Sequence, residues 1–234
     1  MNYEIILDEN VLRDFIDGFM PEITPDETYY FCLFARSKYA KNEDGSNKFP
    51  HIKTDKNQLK RFVSNKHMLI QKIRQLECAF GSYKTKDGDS IPQESLALYM
   101  APNPRSQRRA NFFLQRRLLD IIEASGQGYN IQAEALSALQ KSPSRKPFVM
   151  FDIDDKNIDP SLLSTILPDN CYKVLETRGG FHFLILTDEI KKTPNVDKGW
   201  HPKLRSLFDV DISGDQMIPV PGTHQGGFMP KFIK

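Results

Sequence analysis

Phe148-Val149-Met150-Phe151-Asp152-Ile153-Asp154 is an apolar run that ends in two acids one residue apart. Its length and its β-branched and aromatic content predict a buried strand. Side chains alternate across a strand, so Asp152 and Asp154 share one side and Phe151 and Ile153 the other. Downstream, the pattern predicts a short helix over 160–166, a strand over 172–177 and another over 181–186. A helical stretch over 202–208 and a short strand over 217–220 follow. Arg178-Gly179-Gly180 joins the second and third strands, and glycines there permit a tight hairpin.

This β-α-β-β-α-β order is that of the ferredoxin-like or RNA-recognition-motif-like sandwich, an α+β fold. Upstream, Ser142-Pro143-Ser144-Arg145-Lys146-Pro147 breaks the composition. It divides an N-terminal α/β subdomain, 1–146, from an RRM-like core, 147–234. Residues 9–20 read as an amphipathic helix capped by Asp8, with Val11, Leu12, Phe15, Ile16 and Phe19 on one side. Strands are expected at 29–35 and 95–101. A helix over 65–79 is expected to be capped by Ser64, with Met68, Leu69, Ile73 and Leu76 inward. Pro104 suits the first turn of a helix over 104–124, which repeats Phe112, Phe113, Leu118, Leu119 and Ile122 at helical spacing and ends at Gly126. A shorter helix covers 131–140. Asp44-Gly45, within the polar stretch 41–48, signals a turn.

The chain has 234 residues, 39% hydrophobic and 26% charged, ordinary for a globular protein. No apolar run approaches the roughly 20 residues needed to cross a bilayer. Met1-Asn2-Tyr3-Glu4 does not begin a secretory signal, so no membrane partner is expected. Three well-separated cysteines argue against a disulfide framework and for the cytoplasm. A net charge of +2 does not by itself mark a nucleic-acid binder. However, Arg105, Arg108 and Arg109, continued by Arg116 and Arg117, form a local basic cluster that could follow a phosphate backbone; so could the lysine-rich 48–72. The plain alternative is a solvated helix face.

Two carboxylates side by side repel unless a cation neutralises them, and oxygen donors suit Mg²⁺ or Mn²⁺. The competing reading is an acidic strand end running into a turn. His182 lies between Phe181 and Phe183. If those rings enter the core, its imidazole faces the other surface, where it could donate to a phosphate oxygen. Bare backbone at Gly179 and Gly180 would let a ligand approach, and Arg178 could make two parallel bonds to a phosphate. Asp211 is the preferred third carboxylate, with Asp215 its competitor and Asp209 a helix-end or solvent residue. Pro219-Val220-Pro221-Gly222-Thr223-His224-Gln225-Gly226-Gly227 reads as a rigid loop, an ordinary exit loop or a substrate-facing one.

In this order, these residues resemble the archaeo-eukaryotic primase superfamily, the primase-polymerases. The likeness covers roughly residues 147–228. Asp152-Ile153-Asp154 resembles the family's Asp-x-Asp/Glu motif, Gly180-Phe181-His182 its small-x-His motif, and Val210-Asp211 its hydrophobic-Asp motif. The Pro-Val-Pro-Gly-Thr loop resembles a segment found in plasmid- and phage-borne members. The resemblance implies a DNA primase or polymerase acting in replication. Asp152, Asp154 and Asp211 would bind Mg²⁺ or Mn²⁺ and support catalysis, while His182, Arg178 and Gly180 would bind the nucleotide. It implies single-stranded DNA and nucleoside triphosphates as partners, and a separate helicase. The sequence departs from many relatives at Pro219, where they place an arginine. Two other readings stand: a non-catalytic single-stranded nucleic-acid binder, and a haloacid-dehalogenase-like phosphatase, suggested by Asp152-x-Asp154 and Ser213-Gly214-Asp215. Lys156 in place of that family's usual threonine, and the short remaining chain, count against the phosphatase.

Overall fold

The computed structural model describes residues 1–42, 45–46, 56–85, 87–124 and 128–234. It is a mixed α+β protein built on two antiparallel five-stranded sheets. The first contains β1 (Glu27–Arg36), β2 (Lys56–Ser64), β3 (Leu96–Met100), β4 (Arg105–Ser106) and β9 (Ile218–Pro219). Its order is β2-β1-β3-β9, with β4 also on β1. Every residue of β1 is buried, as its continuous run Thr-Tyr-Tyr-Phe-Cys-Leu-Phe-Ala requires of a central strand covered on both faces. Tyr29, Phe31, Leu33 and Ala35 enter the main core beside Leu12 and Phe15 of α1 (Glu9–Gly18). Tyr30, Cys32 and Phe34 enter a smaller core that includes Leu136 and Leu139 of α4 (Ile131–Gln140).

The second sheet contains β5 (Phe148–Ile153), β6 (Tyr172–Glu176), β7 (Phe181–Leu186), β8 (Ile212–Gly214) and β10 (Lys231–Phe232), in the order β10-β6-β7-β5-β8. Strand alternation divides its residues between two environments. Phe151, Ile153, Val174, Phe183 and Ile185 pack against Leu163 of the 3₁₀ turn Pro160–Thr165 and Leu204 of α6 (Trp200–Leu207). Met150, Leu175 and Leu184 instead join the core of the first sheet. Asp152 and His182 share the parity of Met150 and Leu184 along their strands, so they face the first sheet.

Several expected elements differ in detail. The stretch 217–220 does not complete the second sheet; β9 pairs with β3, and β8 takes the place beside β5. The short helix near 160–166 is 3₁₀. Asn65, not Ser64, caps α2 (Lys66–Arg74), its side chain accepting from the Met68 N–H, and Met68 is exposed. Pro104 is not in a helix, because Arg105 and Ser106 pair with β1 and Ser106 caps α3 (Gln107–Glu123). Asp8 caps α1 as expected, accepting from Asn10 and Val11. An extra helix, α5 (Thr187–Lys192), follows β7. Asp44 and Gly126 lie outside the described residues. No helix among the described residues is long and apolar enough to cross a membrane.

Candidate functional site

Asp152 on β5 and His182 on β7 are direct cross-strand partners. Side chains of such pairs stand within reach of each other, and His182 Nε2 lies 3.0 Å from Asp152 Oδ1. The other ring nitrogen, Nδ1, is buried without a hydrogen-bond partner. A neutral imidazole carrying its proton on Nε2 donates to Asp152 and buries no unpaired N–H. Asp152, Asp154 and His182, with Thr177, Arg178 and Gly179, form one wall of a cleft of about 720 Å³. The first sheet and the 3₁₀ turn Ser37–Tyr39 that follows β1 supply the opposite wall, including Phe34, Arg36, Lys38, Tyr39 and Tyr99.

The hairpin between β6 and β7 explains both of its glycines. A Cβ on Gly180 would stand 1.9 Å from the Ile153 carbonyl oxygen and 2.8 Å from the Asp155 nitrogen. Gly180 is buried, and the backbone it admits is that of β5. This corrects its expected role: the close approach is by protein, not nucleotide, and Gly180 does not line the cleft. Gly179 does line it, and a Cβ there would meet Asp154 Oδ1 at 3.1 Å. Thr177 Oγ1 accepts from the Gly180 N–H and closes the turn.

The other acids occupy different positions. Asp211 Oδ2 accepts from the backbone N–H of Asp154 at 3.1 Å, and the Asp211 N–H donates to the Asp152 carbonyl. Asp211 thus anchors the end of β5 rather than lining the cleft. Ile212 occupies the register position opposite Asp152. Asp215 accepts from Asn103 Nδ2 at 2.9 Å and from Arg105 Nη1 at 2.6 Å. Asp215 is therefore a structural anion.

Arg105 is correspondingly buried and cannot follow a nucleic-acid backbone. Arg108 and Arg109 are exposed on α3, where Arg109 Nη1 donates to the Pro143 carbonyl. Among the described residues, no three His, Cys, Asp or Glu side chains form a ready-made cation cage. Mg²⁺ is commonly held by one or two carboxylates plus substrate phosphates, and the carboxylates that could serve here are those of Asp152 and Asp154, which line the cleft.

The far wall was not anticipated from sequence. Arg36 Nη1 donates to the Tyr99 hydroxyl at 3.0 Å. The Gln225 amide nitrogen donates to both Tyr39 and Tyr99 hydroxyls, at 3.3 and 3.1 Å, while its oxygen accepts from the Arg178 N–H at 2.8 Å. Burial pushes the Tyr39 phenol up, keeping it neutral as an acceptor. The Arg178 guanidinium lies over the Tyr39 ring, 4.8 Å from its centroid. Gln225 belongs to the Pro/Gly-rich loop, so that loop reaches the cleft and ties its two walls together. His224 beside it is buried, with Nδ1 3.0 Å from the Leu96 carbonyl. Burial holds its pKa below the ordinary value of 6.5, against the pull of that carbonyl. The signal that could have found the far wall is Arg36 at the end of a largely apolar strand, with Lys38 just beyond it.

Comparison with protein families, curated proteins and solved structures finds no match.

Proposed function

We propose that the protein is a primase- or polymerase-like nucleotidyltransferase that joins nucleotides on a single-stranded DNA template in replication. One observation carries the reading: Asp152, Asp154, His182 and Arg178 share a cleft whose far wall supplies Arg36 and Lys38. Carboxylates for a cation and cations for phosphates, opposed across about 720 Å³, suit a nucleoside triphosphate. The order β6-β7-β5-β8 supports an RRM-like core, being that of a β-α-β-β-α-β sandwich.

Asp152 and Asp154 would hold Mg²⁺ or Mn²⁺. When bound, that cation lowers the pKa of the attacking hydroxyl and neutralises charge on the transferring phosphoryl group. His182 fixes the Asp152 carboxylate through Nε2, and Asp211 fixes the Asp154 backbone. Arg178, its guanidinium over the Tyr39 ring, presents N–H donors to phosphate oxygens.

The three unpaired cysteines suit the reducing cytoplasm. The phosphatase alternative expects parallel strand-helix units, whereas both sheets are antiparallel and Asp215 is bound to Arg105. The test is incubation of labelled nucleotides with a primed or unprimed single-stranded template and Mn²⁺. Wild type should extend or initiate chains and Asp152→Asn/Asp154→Asn should not. Equal product from both would overturn the assignment, and template retention without synthesis would leave only a nucleic-acid binder.

A further inference from the structure

Helix α3 turns an apolar stripe toward solvent. Ala110 is its one fully buried residue, and Leu114, Leu118 and Ile121 are partly covered on the same side. At 100° per residue, positions 108, 112, 115, 119 and 122 lie on the opposite side, spaced four, three, four and three. They are Arg108, Phe112, Gln115, Leu119 and Ile122; the last two and Phe112 are 61, 65 and 63% exposed. A stripe at this spacing is the seam of a helix pair. Charge along the helix is polarised, with Arg108 and Arg109 in its first turn and Asp120 and Glu123 in its last. Neither Arg108 nor Glu123 has a side-chain ion partner among the described residues.

We propose that α3 pairs antiparallel with α3 of a second copy of this chain, making a two-fold symmetric dimer. With the axis between positions 115 and 116, Phe112 meets the second copy's Leu119, Arg108 meets its Glu123, and Ile122 lies at the edge of the contact opposite its Arg109. Symmetry makes each contact twice. Arg116 then faces Gln115 rather than another cation. A parallel pair would set Arg108 against Arg108 and Glu123 against Glu123, so the charge pattern selects the antiparallel arrangement. Aliphatic Leu119 and Ile122 cannot stack on bases, which disfavours single-stranded nucleic acid as the occupant of this face. One helix per copy lies at the small end of stable interfaces, roughly 1,200 Å² in total, so dissociation in the micromolar range is expected.

Sedimentation of the full chain from about 1 to 100 μM tests this, with circular dichroism confirming that each variant is folded. Wild type should pass from monomer to dimer mass across that range. Phe112→Glu/Leu119→Glu should remain monomeric. Arg108→Glu and Glu123→Arg should each weaken association, by about tenfold for a lost pair flanked by a like-charge contact, and the combined swap should restore it. A wild type that stays monomeric to about 100 μM overturns the proposal, as does a combined swap no better than either single change. Loss of oligo(dT) retention in Phe112→Glu/Leu119→Glu, with wild-type mass monomeric throughout, would assign the face to nucleic acid instead. None of these readings depends on the nucleotide-transfer assignment.

Discussion

Replacing Asp215 with alanine should destabilise the fold without touching the proposed chemistry. Arg105 is 5% exposed and its Nη1 lies 2.6 Å from the Asp215 carboxylate, which is 17% exposed. Arg105 Nε is buried with no partner, so the guanidinium relies heavily on that carboxylate. Removing one member of a buried pair costs about 3–5 kcal/mol, because the other charge is left unpaired. Asp215 retains some contact with water, which argues for the lower end, about 3 kcal/mol. At about 2–4 °C per kcal/mol for a chain of this size, Tm should fall by roughly 6–12 °C.

Arg105→Met should cost less, about 1–2 kcal/mol, since Asp215 keeps its bond from Asn103. The double variant should lose less than the sum of the two, with a coupling of roughly 2 kcal/mol. Urea and thermal unfolding of the four proteins measure this directly. A Tm for Asp215→Ala within a degree or two of wild type would refute the claim that Arg105 depends on it. Asp215→Asn, assayed well below its Tm, should still incorporate nucleotides where Asp152→Asn does not.

The remaining predictions concern the hairpin, the loop and the cleft. Gly180→Ala should destabilise by about 3 kcal/mol or more, because its methyl meets the Ile153 carbonyl at 1.9 Å. Gly179→Ala should leave unfolding within about 0.5 kcal/mol of wild type yet reduce incorporation, since only the Asp154 carboxylate must shift; equal unfolding of the two variants would contradict this. His224 is held below its ordinary 6.5 by burial, so the unfolded chain binds its proton first as pH falls. Its contribution is complete above 6.5 and is lost as pH falls through the lower folded value. Stability measured from pH 7.5 to 5 should therefore decline less in His224→Gln, and a parallel decline would show that another group is responsible. Arg178→Lys removes the flat fork over Tyr39 and should raise the KM for nucleotide about tenfold with little change in kcat; an unchanged KM would exclude Arg178 from the phosphate site.

The cleft's second-sheet wall was largely legible in the sequence because period-two alternation is a strong local signal. Phe151 and Ile153 going one way forced Asp152 and Asp154 the other, and the phenylalanines around His182 did the same for the imidazole. The far wall was not legible. Arg36, Tyr99 and Gln225 meet only because β1, β3 and the loop after β9 converge, and no local pattern encodes that convergence. The misassigned strand at 217–220 has the same origin: Ile218 and Pro219 read as extended, but which sheet receives them is a tertiary choice. Arg105 looked like part of a surface cluster because charge runs are usually solvated, and Asp215, its partner, is 110 residues away. The α3 pattern was read as a helix correctly, but periodicity cannot say whether an apolar stripe faces the chain's own core or a second molecule.

Calorimetric titration of a nucleoside triphosphate into the protein, with Mn²⁺ and again with chelator, tests the central assignment most directly. Wild type should bind with Mn²⁺ and weaken sharply in chelator, while Asp152→Asn/Asp154→Asn should bind equally weakly in both. Binding in wild type that is indifferent to Mn²⁺, or unchanged in the double variant, would contradict the assignment of those two carboxylates and their cleft.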